Sequence, residues 1–487
     1  MNTIIFYQSR RWKKRMITIT QFKKSYSKAI REGYAAIFAG AGLSKASGFV
    51  DWKELLDDLA REINLDVAKE SDLVEVAQYY VNEKNSRNEI NEKIVNRFVT
   101  ETQESENIRI LSELPIHVFW TTNYDHLIED TLRKCGKHVD VKMTPESLAT
   151  NLSGNDAIVY KMHGDYIDPS SCVIIKDDYE LYNDKRQLFS TTLQGDLVSK
   201  TFLFIGFSFE DPNLKYILSR IRVLLDKNRR THYLFLKKIQ KSNYIKRIED
   251  YYYDLNKQEL RIKDLKRYGI ETILVDDYNQ IPNILTEIKR STKCKNIFIS
   301  GAAQEYGSAW EKTAPTFIRN LTSKLYHENY KIITGHARGV GSYIVSAAIE
   351  ECQANVGELE KHLMIKAFPY QDKDRSNYKQ LKKEYREGIF KNAGICIFMF
   401  GNKPSDNGNI LASGIYEEYK MALQSGAYII PLASTGYMTK KIWDEVYAKI
   451  GQFPYLQPFA DTLQNCTEPD ELINTILSIL YIIQKDY

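Results

Sequence analysis

The chain has 487 residues, of which 43% are hydrophobic and 27% are charged, and its formal net charge is +4. This length exceeds one typical domain and the composition is that of a globular protein, so two or three folded domains are expected. The small net charge argues against a dedicated nucleic-acid binder, and the lack of any long apolar run argues against a membrane span.

The first fifteen residues are predicted to be a basic extension to which we assign no role. Arg10, Arg11, Lys13, Lys14 and Arg15 occur there without an acidic residue. The segment lacks the apolar stretch and cleavage site of a signal peptide, and Met16 offers an alternative start.

The six cysteines are scattered along the chain, and no two of them form a Cys-x-x-Cys pair. Their spacing fits neither a disulfide framework nor a zinc site. It indicates a reducing, cytoplasmic environment and a protein without a metal.

Residues 16–284 are predicted to form a first α/β unit. Continuous apolar or β-branched runs, typical of parallel strands covered on both faces, alternate there with amphipathic helical stretches. The predicted strands are Ala35–Ala39, Val118–Thr121, Ala157–Met162, Thr201–Ile205, His232–Leu236 and Thr272–Val275. The charged stretch from Lys237 to Arg267 is predicted to be an exposed helix before the last strand.

A glycine-rich segment follows the first predicted strand and precedes a helical pattern. In α/β proteins this order holds a dinucleotide diphosphate, because glycines let backbone N–H groups reach the phosphates. The residues predicted to contact the dinucleotide here are Gly40, Ala41, Gly42, Ser44 and Ser47.

Polar side chains follow three further strands of the same unit. The segments are Trp120-Thr121-Thr122-Asn123-Tyr124-Asp125, Tyr160-Lys161-Met162-His163-Gly164-Asp165 and Gly206-Phe207-Ser208-Phe209-Glu210-Asp211. Parallel strands bring such ends to one edge of the sheet, where these folds bind ligands. Each segment also has a structural interpretation: a capped turn at Asn123, a buried structural histidine at His163, and helix caps at Ser208 and Asp211.

In this order the four segments resemble those of the sirtuins, which break the nicotinamide–ribose bond of NAD. The resemblance implies NAD as the substrate, Asn123, His163 and Asp125 as catalytic residues, and Gly206, Ser208 and Asp211 as NAD-binding residues. Cleavage of this bond develops positive charge on the ribose, as glycoside hydrolysis does. An amide can position water and an imidazole can accept its proton, so either Asn123 or His163 could activate the nucleophile.

The chain departs from the protein-deacylating sirtuins in its cysteines. Those enzymes carry two Cys-x-x-Cys zinc pairs between the histidine and adenosine-side segments, whereas this chain has only Cys172 between His163 and Gly206. The small domain that grips an acyl-lysine peptide is therefore in doubt. Water becomes the expected acceptor, and the favoured reaction is hydrolysis of NAD to nicotinamide and ADP-ribose.

Residues 285–487 are predicted to form a second α/β unit, so the chain is two Rossmann-like parallel-sheet domains in tandem. The predicted strands are Asn296–Gly301, Lys331–Thr334, Leu363–Ala367, Gly394–Phe400 and Tyr428–Leu432, and the predicted helices are Phe317–Tyr326, Tyr378–Lys391 and Ile415–Leu423. Glycines follow the first two strands, and they fit phosphate cradles and plain turns equally well.

The second unit resembles the SLOG superfamily of nucleotide-sensing domains, and the tandem order resembles the NAD-consuming effectors of Thoeris antiphage defence. The resemblance implies a homotetramer activated by a cyclic ADP-ribose isomer that a TIR-domain protein makes. Such a ligand needs cations for its phosphates, backbone amides, and a carboxylate for ribose hydroxyls. The predicted activator-binding residues are Ser300, Gly301, Gly339, Arg386, Lys403 and Glu418.

Two other functions stay open from the sequence. One is a sirtuin-type protein deacylase or ADP-ribosyltransferase, which the absent zinc cysteines oppose. The other is a non-enzymatic scaffold whose two nucleotide pockets drive assembly.

Overall fold

The computed structural model describes residues 16–485 except positions 46, 50–51, 100–102, 208, 210, 226–227, 245–246, 356, 370–376 and 407. The basic segment 1–15 and Ser208 therefore lie outside the described residues. The chain divides into two compact units, Met1–Lys289 and Arg290–Tyr487.

The first unit is built on a parallel sheet of seven described strands in the order β3-β4-β2-β1-β5-β6-β7. The strands are Ala35–Ala39 (β1), Val118–Thr121 (β2), Val139–Lys142 (β3), Ala157–Lys161 (β4), Thr201–Ile205 (β5), His232–Lys237 (β6) and Ile270–Val275 (β7). The central strand β1 is buried at every position because helices cover both faces. Its Phe38 pairs with Trp120 on one side and with Phe204 on the other.

Helices connect these strands and cover the two faces of the sheet. They are Ile19–Arg31 (α1), Ala41–Lys45 (α2), Trp52–Glu62 (α3), Leu73–Lys84 (α4), Asn88–Phe98 (α5), Glu106–Glu113 (α6), Leu127–Lys134 (α7), Lys176–Glu180 (α8), Tyr182–Ser199 (α9), Pro212–Leu225 (α10), Ile248–Arg267 (α11) and Ile281–Lys293 (α12). Thr18 begins α1 with a capping box, since its hydroxyl accepts from the N–H of Gln21 and the Gln21 side chain accepts in return. Each face of the sheet packs its own apolar cluster.

Strand β3 was not predicted, and its composition explains the omission. Two of its four residues, Asp140 and Lys142, are charged. Both are nevertheless buried, because the Lys142 ammonium lies 2.8 Å from the Asp140 carboxylate. A strand whose polar residues neutralise each other shows no apolar run, so the hydrophobic pattern cannot reveal it.

The second unit has a parallel sheet in the order β10-β9-β8-β11-β14 and a separate antiparallel hairpin, β12-β13. The strands are Asn296–Ala302 (β8), Lys331–Thr334 (β9), Leu363–Ile365 (β10), Ile395–Phe400 (β11), Asn402–Ser405 (β12), Gly408–Leu411 (β13) and Tyr428–Pro431 (β14). The hairpin was not predicted, because most of its residues are exposed and it has no buried apolar run.

The helices of the second unit are Ala314–His327 (α13), Gly341–Ala354 (α14), Leu359–His362 (α15), Tyr378–Phe390 (α16), Ser413–Gln424 (α17), Tyr437–Tyr447 (α18), Ala460–Asn465 (α19) and Pro469–Lys485 (α20). They enclose a separate apolar core around β8 and β11. The two parallel sheets confirm the predicted α/β class. Within the part of the chain that the structure describes, no helix combines the length and apolar character needed to cross a bilayer.

Candidate functional site

The four polar segments of the first unit follow adjacent strands of its sheet. Strands β4, β2, β1 and β5 are neighbours in that order, and the strand order reverses direction at β1. Open parallel sheets bind ligands at the carboxyl ends of strands where the order reverses. The topology therefore brings all four segments to the edge of the sheet where this fold class places its ligand.

Glycines allow the loops after β1 and β5 to touch. The Gly40 N–H donates to the Ile205 carbonyl at 3.0 Å, and the Gly42 N–H donates to the Gly206 carbonyl at 2.9 Å. A Cβ at Gly40 would lie 2.5 Å from the Gly206 oxygen, and Gly206 has φ +64°, a region that favours glycine. Because these two N–H groups bond to protein, their contact with a phosphate stays a prediction.

Asn123 is held in a hydrogen-bonded group with two other predicted site residues. Its amide nitrogen donates to the Gly40 carbonyl at 3.1 Å and to the Ser44 hydroxyl at 2.7 Å. The Ser44 hydroxyl in turn donates to the Asp125 carboxylate at 2.7 Å, which also accepts from the N–H of Leu127. Both N–H groups of the Asn123 amide are thus engaged, and its oxygen has no hydrogen-bond partner among the described residues.

This group lines a small surface cavity. The lining residues are Ala41, Ser44, Trp52, Leu55, Phe98, Thr122, Asn123, Tyr124 and Asp125. The polar lining comes from α2 and the loop after β2, and the apolar side chains of Trp52, Leu55 and Phe98 come from α3 and α5. Ligand pockets combine apolar lining with a few convergent polar groups, and the residues around this cavity are of both kinds.

His163 forms a second polar pair with Asp211. The His163 Nε2 lies 3.1 Å from the Asp211 carboxylate without the angles of a hydrogen bond, and both side chains are almost fully buried. Burial raises the pKa of Asp211, but His163 and the backbone N–H groups of Leu214 and Asn213 outweigh it and hold that pKa below its usual range. Asp211 also caps α10, since it accepts from the Leu214 N–H at 2.7 Å. Asp211 therefore both caps α10 and contacts His163, so its structural and functional interpretations are compatible.

The remaining predicted residues of this unit are in different positions. Ala41 lines the cavity, whereas the buried Ser47 hydroxyl accepts from the N–H of Ser105. Neither His163 nor Asp211 lines the cavity. The structure thus brings Asn123, Ser44 and Asp125 into one group and His163 and Asp211 into another.

A buried charged cluster lies behind the Asn123 loop, and no role was predicted for it. The Lys161 ammonium lies 3.0 Å from Glu129 and 2.5 Å from Asp165, and the His126 ring nitrogen lies 2.9 Å from Asp165. Glu129, Asp165 and His126 could hold a metal by their spacing, but the Lys161 cation already contacts both carboxylates. The sequence offered one indication of this cluster, a lysine at the end of an apolar strand.

In the second unit, Ser300 at the end of β8 contacts Glu418 of α17. The Ser300 hydroxyl donates to the Glu418 carboxylate at 2.6 Å. Burial raises the pKa of Glu418 to about 7, although Ser300 and Arg386 both act to lower it. The buried Arg386 forms an ion pair with Glu417 at 2.7 Å, and its Nε has no hydrogen-bond partner among the described residues. Its guanidinium carbon lies 5.9 Å from the centre of the Phe368 ring.

The other predicted activator contacts are arranged differently. Gly301 has no room for a side chain, since a Cβ would lie 2.8 Å from Met399, and Gly339 has φ +73° beside Ala303. The Gly339 carbonyl accepts from the Tyr306 hydroxyl at 2.6 Å. Lys403 is exposed on the β12-β13 hairpin. The structure thus brings Ser300, Glu418 and Arg386 together, while a shared ligand with Lys403 stays a prediction.

The chain is similar to known proteins along nearly its whole length. Residues 117–273 match a family described as a SIR2-like domain, and residues 280–483 match the Sir2- and TIR-associating SLOG family. A protein of Bacillus cereus (strain MSX-D12) named NAD(+) hydrolase ThsA is 41% identical over 476 residues, which are 95% of this chain and 98% of that protein. Proteins of the same name from Cytobacillus dafuensis and Acinetobacter baumannii (strain 532279) are 41% and 39% identical, over 94% of this chain and 95% and 97% of their own lengths.

Proposed function

The chain belongs to the family of NAD(+) hydrolases named ThsA, and from that premise we propose that it hydrolyses NAD to nicotinamide and ADP-ribose in Thoeris antiphage defence. The single observation that carries the proposal is the hydrogen-bonded group of Ser44, Asn123 and Asp125 on the wall of the cavity. It lies at the carboxyl edge of the sheet, where this fold class binds nucleotides.

The residues of this group suit the cleavage of an N-glycosidic bond. Positive charge develops on the ribose as nicotinamide leaves, and a carboxylate fixed at the cavity wall stabilises it. Asp125 provides that carboxylate, and its orientation is fixed by the Ser44 hydroxyl and the Leu127 N–H. The amide oxygen of Asn123, which has no partner among the described residues, accepts a hydrogen bond from the attacking water. Nicotinamide leaves as a neutral base, so no strong general acid is needed.

His163 supplies the proton-accepting group of the proposed site. An imidazole accepts a proton near neutral pH, and an adjacent carboxylate orients it and stabilises its charged form. Asp211 has this role, because its lowered pKa keeps the carboxylate ionised beside the His163 ring.

The decisive experiment measures nicotinamide release from NAD by the purified full-length chain and by Asn123→Ala, with and without added cyclic ADP-ribose isomers. The matched control is Asn155→Ala, which removes a half-buried amide of the same unit that bonds only to the Leu152 carbonyl among the described residues. The expected result is release by the control at the wild-type rate and a loss of about 10²–10⁴-fold in Asn123→Ala. No release by the wild-type chain, but turnover of acyl-lysine with NAD, would favour the deacylase instead.

The second unit is proposed to bind the activator, a cyclic ADP-ribose isomer that a TIR-domain protein makes. Support comes from the buried cation Arg386, whose Nε is unpartnered among the described residues, beside the Ser300–Glu418 pair. Arginine binds phosphate through charge-assisted hydrogen bonds, and a carboxylate accepts from ribose hydroxyls. Activation through a homotetramer belongs to the same proposal.

The activator proposal is tested by titrating cyclic ADP-ribose isomers against nicotinamide release. Arg386→Ala is expected to raise the half-maximal activator concentration by roughly 10–100-fold, the equivalent of one charge-assisted contact. Arg319→Ala is the matched control, since Arg319 pairs with Glu350 and Ser346 elsewhere in the unit. An equal shift in both variants would mean that Arg386 only supports the fold.

A further inference from the structure

Lys161 is the last residue of β4 and is completely buried. Its ammonium donates to the carbonyls of Tyr124 and Asp125, at 3.1 and 2.5 Å, and to Glu129 at 3.0 Å. It also lies 2.5 Å from Asp165. One cation therefore contacts two carboxylates and two consecutive carbonyls of the loop that carries Asn123.

Lys161 and Asp165 retain their charges although they are buried. Burial lowers the pKa of Lys161, but Glu129, Asp165 and Asp125 outweigh it and the net shift is upward, so the ammonium stays protonated. Burial raises the pKa of Asp165, but His126 and Lys161 outweigh it and the net shift is downward. Burial raises the pKa of Glu129 despite the nearby lysine. Lys161 is thus a permanent donor to the two carbonyls.

Stability alone gives little reason for such a cluster. Buried ion pairs are often no better for folding than apolar residues of similar size, because desolvation offsets their attraction. A buried cation does fix the groups that it contacts, since a lost contact would leave an unpaired charge. Here the fixed groups are the two peptide planes on either side of Asp125, which contain the Tyr124 and Asp125 carbonyls.

The position of Lys161 joins the two parts of the candidate site. Lys161 precedes His163 by two residues and Asp165 follows it by two, so their ion pair spans the turn that presents the histidine. The N–H of Tyr166, which directly follows Asp165, donates to the Tyr124 carbonyl at 3.2 Å. The histidine turn and the asparagine loop are therefore held together through the lysine.

We propose that Lys161 is a positioning residue, which fixes the loop bearing Asn123 and Asp125 against the turn bearing His163 in the geometry that hydrolysis requires. This inference rests on the proposed NAD hydrolysis. Displacement of a reacting group by about 1 Å costs on the order of 10²-fold in rate, while contacts that bind the substrate elsewhere are retained. Loss of Lys161 should therefore lower kcat more than it changes KM.

The test measures kcat, KM and the melting temperature of the full-length chain, under the activator condition that gives wild-type turnover. Lys161→Met is expected to lower kcat by about 100-fold with KM within about threefold. The matched control is Lys142→Met. Lys142 is a buried lysine at the end of the neighbouring strand β3, where it pairs with Asp140 and donates to the Thr150 carbonyl. The kcat of Lys142→Met is expected to stay within about threefold of wild type.

A triple variant separates positioning from stability. Lys161→Met combined with Glu129→Gln and Asp165→Asn leaves no unpaired charge, so its melting temperature is expected to recover. The two carbonyls still lack their donor, so kcat is expected to stay low. Recovery of kcat together with stability, or equal kcat losses in Lys161→Met and Lys142→Met, would overturn the inference while wild-type hydrolysis stands. No nicotinamide release by the wild-type chain would overturn the proposed function, and this inference with it.

Discussion

The protonation of Glu418 makes the stability of the second unit depend on pH. The residue is 8% exposed, and burial raises its pKa from 4.5 to about 7. A carboxyl whose folded-state pKa is raised contributes stability that is fully present below the unfolded pKa. That stability is lost as the pH rises through the folded pKa, here about 7. Glu418→Gln keeps the shape of the protonated acid and removes the titration.

The size of the effect follows from the shift. An increase of about 2.5 pKa units at 1.36 kcal/mol per unit corresponds to about 3 kcal/mol of unfolding free energy. Most of it, about 2–3 kcal/mol, is lost between about pH 5 and about pH 8.5. Wild type should therefore lose this much relative to Glu418→Gln over that range.

Urea denaturation of both proteins across this pH range, followed by tryptophan fluorescence, measures the difference. The buried Trp310 and Trp443 report on the second unit. The midpoint of Glu418→Gln should exceed that of wild type by on the order of 1 M urea at the alkaline end and by much less at the acidic end. Glu360→Gln, at an exposed position of the same unit, should follow wild type throughout. A constant offset between Glu418→Gln and wild type at every pH would refute the reasoning.

Four further outcomes are expected. Ser44→Ala removes the hydroxyl that joins Asn123 to Asp125 and should lower kcat for nicotinamide release by about 10-fold or more, with little change in melting temperature. Asp211→Asn removes the carboxylate that lies 3.1 Å from His163, the proposed proton acceptor, and should lower kcat for nicotinamide release by about 10-fold or more; an unchanged kcat would exclude the pairing from catalysis. Gly206→Ala should destabilise the first unit by about 1–3 kcal/mol in urea titrations, because the residue has positive φ and no room for a Cβ. Arg386→Ala should leave the KM for NAD unchanged while it weakens activation, and a parallel loss of both would contradict the assignment.

The strands could be predicted where burial is uniform. Strands covered on both faces, such as β1 and β11, are continuous apolar runs, and their bounds agree with the prediction to within one residue. Strand β3 and the β12-β13 hairpin lack this pattern. In β3 a charged pair replaces apolar residues, and in the hairpin the residues are exposed.

The sequence indicated candidate site residues one at a time, but it did not indicate the contacts between them. Local motifs indicated Asn123, Asp125 and His163 separately. The Ser44 bridge between Asn123 and Asp125, and the contact between His163 and Asp211, join segments distant in the chain, and only the folded structure shows them. Lys161 was present in a quoted motif, yet nothing local distinguishes a lysine that ends a strand in solvent from one that is enclosed by two carboxylates.

The contact between the β1 and β5 loops also determines which mutations the protein can accumulate. Gly40, Gly42 and Gly206 fill each other's space, so any single replacement collides with the opposing loop. Gly195 in α9 has open space around the place of a Cβ and helical backbone. In a saturation library selected for folding, the three loop glycines should admit almost no alternative, whereas position 195 should accept most residues. The contact between these two loops is in this sense a part of the molecule that can diversify only by several simultaneous changes.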